Sequence, residues 1–106
     1  MPHLKEFTQE INIRGIKART LVDHDEILIK TLYLDPFKSI EPHKVPVLVT
    51  FIVLEGQGEI SIGDLTYEVS KNHVIECPKN TLMALQASKE GLVFLNIKSP
   101  GFKVIK

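Results

Sequence analysis

The run from Val47 to Leu54 is the most β-prone stretch of the chain, rich in branched and aromatic side chains. It ends in Glu55-Gly56-Gln57-Gly58, where two glycines supply the permissive backbone angles that a reversal needs. Glu59 to Ile62 reads as the returning strand, Gly63-Asp64 turns again, and Leu65 to Val69 follows. The same rhythm holds elsewhere. Ile16 to Val22 and Glu26 to Leu34 are strands, the second stopped by Asp35-Pro36 because proline cannot donate to a ladder. Lys71-Asn72 is a turn, with Asn72 tolerating a left-handed conformation. His73 to Glu76 is a short strand before Pro78. Leu82 to Ala87 and Leu92 to Lys98 complete the set, separated by Ser88-Lys89-Glu90-Gly91, and Ser99-Pro100-Gly101 closes the last of them. No segment sustains a helical period. Eight or nine short strands at regular spacing predict an all-β barrel or jelly roll, a form that hides its sheet edges.

The 106 residues suit one domain, residues 1–106, with roughly 60–70 % of the unfolded surface buried on folding. Hydrophobic residues at 43 % and charged residues at 25 % exclude a disordered chain. The lysines are scattered and the net charge is zero, so no nucleic-acid footprint is present. Neutrality also removes the self-repulsion that keeps copies apart, which permits self-association. No apolar run approaches the roughly 20 residues of a membrane-spanning helix, and Met1-Pro2-His3-Leu4-Lys5-Glu6 lacks the apolar core of a signal peptide. The expectation is a cytoplasmic protein without a membrane partner. The one cysteine, Cys77, can form neither an internal disulfide nor a zinc site alone, and reads as a small buried hydrophobe.

The strand Phe51-Ile52-Val53-Leu54-Glu55-Gly56, with Glu41-Pro42-His43-Lys44-Val45-Pro46 before it and Lys71 to Met83 after it, resembles the small single-domain cupins over roughly residues 30 to 98. The resemblance implies a double-stranded β-helix, the jelly-roll barrel of that superfamily. It also implies where a metal would sit, on three histidines and a carboxylate converging inside the barrel. Here His43 matches the first histidine. The second falls at Lys44 or Val45, the carboxylate at Val49 or Thr50, and the last histidine at Met83. Iron, manganese or nickel want imidazole and carboxylate donors; valine offers none and a thioether is soft and weak. The expectation is therefore a cupin-like barrel with no metal cofactor. The family's small members commonly dimerise, so the resemblance implies a homodimer.

Pleat geometry places His43, Val45, Val47, Val49, Phe51 and Val53 on one parity. If His43 faces inward, that row lines the barrel, giving an apolar pocket of His43, Val45, Val47, Val49, Phe51 and Met83. His43 is then either the polar group that fixes a small ligand or a satisfied, partly buried histidine. His24 and His73 lie beside turns and read as solvated, His3 lies near the terminus, Glu41 reads as an exposed loop carboxylate, and Asp64 as a turn former. The glycines make no phosphate loop, because no helix follows them. The reading that fits best is a protein binding a small molecule without a metal. The alternatives are a metal-dependent oxygenase or isomerase using atypical ligands such as His73 or Glu41, and a packed, dimerising structural module.

Overall fold

A computed structural model describes residues 9–11 and 16–101. His3 and the apolar tail after Gly101 lie outside them. The described residues form eight strands: β1 (Gln9–Ile11), β2 (Lys17–His24), β3 (Ile27–Leu34), β4 (Ser39–His43), β5 (Leu48–Ile62), β6 (Leu65–Ser70), β7 (Val74–Cys77) and β8 (Met83–Ser99). All neighbouring pairs are antiparallel.

The expected reversal at Gly56-Gly58 does not occur. β5 runs through both glycines, with register shifts against β8 between Val53 and Glu55 and between Gly56 and Gly58. Bulges of this kind bend a strand and raise its twist without ending it. The separator Ser88-Lys89-Glu90-Gly91 is likewise no break, since β8 continues across it. The glycines therefore mark corners, where one strand passes from one sheet into another. Gly56 has φ 85° and Gly91 has φ 79°. A Cβ on Gly56 would collide with the Gly91 carbonyl, so the two corners touch backbone to backbone. Steric permission for a hairpin and for a sharp bulge is the same signal in sequence, which is why one was read as the other.

Each long strand thus contributes to two layers. The larger sheet runs β1, β2, β3, the second half of β8, the first half of β5, then β7. The smaller runs β4, the first half of β8, the second half of β5, then β6. Because β5 and β8 bend at the same place, Leu48, Ile62, Met83 and Ser99 all lie at the end away from the bend. That end is called the open end below.

Between the layers the core is Leu32, Leu34, Val49, Phe51, Val53, Cys77, Leu92 and Phe94 from one sheet, against Ile40, Ile60, Val69, Met83, Leu85 and Ala87 from the other. Phe51 and Phe94 meet edge to face with centroids 5.7 Å apart, an arrangement favoured by the ring quadrupoles. The parity row is inward-facing: Val47, Val49, Phe51 and Val53 are buried, Val45 packs against the core, and His43 is half-exposed.

Gly56→Ala is expected to lower stability by about 1–3 kcal/mol, since it combines a strained backbone angle with a backbone collision. Gly63→Ala, at φ 58° in open space with Thr81 Cγ2 the nearest atom at 3.7 Å, is expected to cost less. Urea midpoints of the two variants check this; equal losses would mean that the corner contact contributes nothing.

Candidate functional site

β4 is a strand that sequence reading took for a loop, and its irregularity creates the site. Ile40 pairs with Leu85 and His43 pairs with Met83. Leu85 and Met83 are two apart and both face inward, whereas Ile40 and His43 are three apart. A regular strand would turn one of them out. The register shift between Ile40 and His43 supplies the extra residue, so Glu41 and Pro42 together oppose one position of β8. Proline suits that place because it has no N–H to leave unpaired. The bulge therefore aims His43 inward at the open end, directly across from Met83. Its Nδ1 lies 3.0 Å from the Glu41 carbonyl oxygen. In the neutral ring Nδ1–H donates to that oxygen, which makes Nε2 the acceptor.

His43 lies opposite Met83, and Val49 and Met83 belong to one buried cluster; of the positions that the resemblance assigns to metal donors, only His43 carries an imidazole. Met83 is 2 % exposed and Val49 0 %, so these positions present a thioether and a methyl pair. Val45 packs against the core, as do Ile62 and Ile75. Among the described residues, no three His, Cys, Asp or Glu side chains are grouped as a metal would need. Of the atypical candidates, His73 stands apart from His43. His73 lies in the β6–β7 turn near the bend, where its Nδ1 accepts from the Ser70 N–H at 3.0 Å. Glu41 is exposed at the bulge. His24 does comparable local service, its Nδ1 accepting from the Glu26 N–H at 3.2 Å.

Cys77 sits opposite Val49 on the inner face and is 1 % exposed. Its Sγ reaches the Pro78 and Thr81 carbonyl oxygens, each at 3.5 Å. Burial pushes its pKa above the ordinary 9.0, because the apolar surroundings disfavour the thiolate.

Three inward-facing polar residues were missed in sequence. Lys30 pairs with Asn96 on β8, and Asn96 pairs in turn with Phe51 on β5. Cross-strand partners share a face, so Lys30 and Asn96 face the core with Phe51. Lys98, opposite Val49, occupies the next row toward the open end. Asn96 is 8 % exposed, and its Oδ1 accepts from Lys98 Nζ at 3.0 Å. The signal was legible: Lys30 is in phase with Leu28, Leu32 and Leu34, and Asn96 and Lys98 are in phase with Leu92 and Phe94. Charged and amide side chains ordinarily take the solvated face, and that preference masks the phase.

A concavity of about 870 Å³ lies on the outer face of the smaller sheet, lined by Glu59, Glu68, Gln86, Phe37 and His73 among others. None of the six residues expected to line a pocket takes part in it.

With this geometry in view, comparison with solved structures is informative. An RmlC-like cupin from Shewanella frigidimarina superposes with a TM-score of 0.85 at 14% identity, covering 92% of this chain and 87% of its own. KdgF from a Halomonas species gives 0.81 at 14%, covering 91% and 88%. A conserved Streptococcus pyogenes protein of unknown function gives 0.73 at 26%, covering 89% and 82%. No family model and no curated protein matches the chain. The chain shares the double-stranded β-helix fold of these cupins, and the positions that the resemblance assigns to metal donors are mostly apolar in it. Among the described residues no helix is long and apolar enough to cross a membrane.

The Cys77 thiol is expected to react with a disulfide reagent at neutral pH only as fast as the protein opens, and at once in denaturant. Rapid stoichiometric reaction of the native protein would contradict its burial. The folded thiol keeps its proton to higher pH than the unfolded one. Its contribution to stability is therefore complete below the unfolded value and is lost as pH rises beyond it toward the folded value.

Proposed function

We propose that this protein binds a small organic molecule at the open end of the barrel without a metal ion, with His43 as a polar group that orients it. The carrying observation is the β4 bulge, which turns an imidazole inward opposite Met83 when a regular strand would face it to solvent. Small-ligand sites combine apolar walls with a few placed polar groups, and barrel mouths are frequent locations. Val45, Val47, Val49, Phe51 and Met83 supply the apolar side, with Val45 and Ile62 only partly covered. The imidazole, tethered to Glu41 O, is the polar ring that would orient a ligand there. The donor set argues against the metal-dependent oxygenase or isomerase reading, because His43 has neither imidazole nor carboxylate at the other family positions.

Elemental analysis of the purified protein is expected to find iron, manganese, nickel and zinc well below one per chain, and chelation to leave the melting temperature unchanged. Stoichiometric metal held at micromolar affinity or better would overturn the reading. Small alcohols, amides and acids screened by ligand-observed NMR are expected to give binders whose affinity falls about five- to tenfold in His43→Ala, the loss of one hydrogen bond.

A homodimer in the cytoplasm fits the same reading. The outer face of the larger sheet carries Ile29, Ile52, Leu95 and Ile97, with Leu48 37 % and Val74 61 % exposed at one side, and apolar patches of this kind mark association surfaces. The Leu48→Lys, Val74→Glu double variant is expected to sediment as a monomer while the natural protein sediments as a dimer. A monomeric natural protein would remove the proposal.

A further inference from the structure

The outer face of the smaller sheet carries features that a merely solvated face does not need. Its central row crosses four strands: Ser39 on β4, Gln86 on β8, Glu59 on β5 and Glu68 on β6. Ile60 and Leu85, one residue along, are buried on the opposite face. The concavity of about 870 Å³ lies over this row, and a smaller one of about 230 Å³ continues toward β4. Glu59 and Gln86 line both, so the two adjoin. The larger alone falls within the roughly 300–1,000 Å³ of small-molecule sites.

Phe37 stands at the edge of the larger concavity, in the turn between β3 and β4. The Lys38 N–H donates to the Asp35 carbonyl at 2.9 Å, closing a β-turn with Pro36 and Phe37 at its centre. Phe37 has φ 64°, and it occupies the position where a turn with that angle ordinarily takes glycine or asparagine. A bulky side chain is strained there. The ring is nevertheless 71 % exposed, so packing offsets little of the strain. The backbone is tied on both sides: the Phe37 N–H donates to the Ser88 carbonyl at 3.1 Å, and Gln86 Nε2 donates to the Phe37 carbonyl at 3.0 Å. One exposed aromatic is ordinary on a protein surface. An aromatic pinned in a left-handed conformation beside a cleft is not, and strain maintained in this way is a mark of ligand sites.

The polar groups define what would fit. Gln86 gives its amide hydrogens to the Phe37 and Ala87 carbonyls, which leaves Oε1 to accept. His73 Nδ1 accepts from the Ser70 N–H, so the neutral ring carries its proton on Nε2 and donates from there. Glu59 and Glu68 stand directly opposite one another, an unfavourable pairing of like charges that a donor bridging both would relieve. Among the described residues these acids belong to no group of three that could hold a metal ion. Hydroxyl groups, which donate and accept at once, match this mixed set, and the C–H face of a sugar ring matches an exposed aromatic.

We infer that the outer cleft binds a neutral carbohydrate, a short oligosaccharide with one sugar ring lying on Phe37. Its hydroxyls donate to Glu59, Glu68 and Gln86 Oε1 and accept from His73 Nε2. This site is separate from the open end of the barrel and does not depend on the reading of His43. An organic cation would also suit two carboxylates and a ring. The sugar is favoured because Lys89 lines the same cleft and neutral amide and hydroxyl groups share the row.

The test titrates the full chain with cellotetraose, maltotetraose, xylotetraose and mannotetraose, and with choline and spermidine, following backbone amide shifts by NMR. At least one tetrasaccharide is expected to bind with a Kd of about 1 mM or tighter, shifting Gln57, Glu68, Ser70 and His73. Phe37→Gly is expected to weaken that binding about tenfold or more, the loss of an aromatic contact. Its melting temperature should hold or rise, because glycine suits the backbone angle. Phe37→Tyr should bind as the natural protein does, and Glu68→Ala about fivefold more weakly. Unchanged affinity in Phe37→Gly and Glu68→Ala would overturn the proposal. Choline or spermidine binding more tightly than every sugar would replace the carbohydrate with a cation. Shifts confined to Val45, Ile62 and Ile75 would move the sugar to the open end, and absence of binding by all the tetrasaccharides would overturn the outer site.

Discussion

The contact between the backbones of Gly56 and Gly91 is the constraint on which the barrel depends. Two strands cannot bend together from one sheet into another unless their backbones approach more closely than side chains allow. Here a Cβ on Gly56 would strike the Gly91 carbonyl, and one on Gly91 would sit 3.0 Å from the Leu34 carbonyl oxygen. Only glycine satisfies this geometry, since both residues also take left-handed backbone angles. Once the corner is made, β5 and β8 run beside one another in both sheets. That double pairing closes the structure and keeps its ladders internal, which is how an all-β domain of this size limits its exposed edges.

The corner also separates a tightly packed end of the barrel from a looser one. Near the bend the interior is closed by Leu34, Val53, Val69, Ala87, Leu92 and Phe94. Toward the other end the packing loosens: Val45, Ile62 and Ile75 are only partly covered, and His43, Lys30, Asn96 and Lys98 enter the lining. Polar groups are tolerable there because water can still reach part of each side chain, which it could not at the bend. The family's metal positions fall in this same region and hold a thioether and branched aliphatics in place of nitrogen and oxygen donors. The polar chemistry of the open end has a different composition, amine and amide beside a single imidazole.

How much of this was legible in the sequence differs from element to element. Strands β2, β3 and β7 of the larger sheet were, because their alternation and their proline stops are local signals, whereas the three-residue β1 was not. The inward row from Val47 to Val53 was, because parity alone assigns it. The corners were seen and misread, since a glycine that permits a bulge looks the same as one that permits a hairpin. β4 was missed because Ser39-Ile40-Glu41-Pro42-His43 is too short and too polar to register as a strand, and the bulge that turns His43 inward exists only against β8. Lys30, Asn96 and Lys98 obeyed the same parity rule that found Phe51. They were overlooked because a charged residue in an apolar run is ordinarily assigned to the solvated face.

The sequence by itself determined the fold class, the identity of the donors at the family's metal positions, and the parity of the core row. These depend on residue type and on a two-residue period, which are properties of the chain alone. Tertiary structure decided where the strands end, which residues oppose His43, and that two lysines share one interior with it. Those facts depend on which strands lie side by side and on the register between them. Register is set by the packing of the whole barrel around the Gly56–Gly91 corner, and no local stretch of sequence contains it.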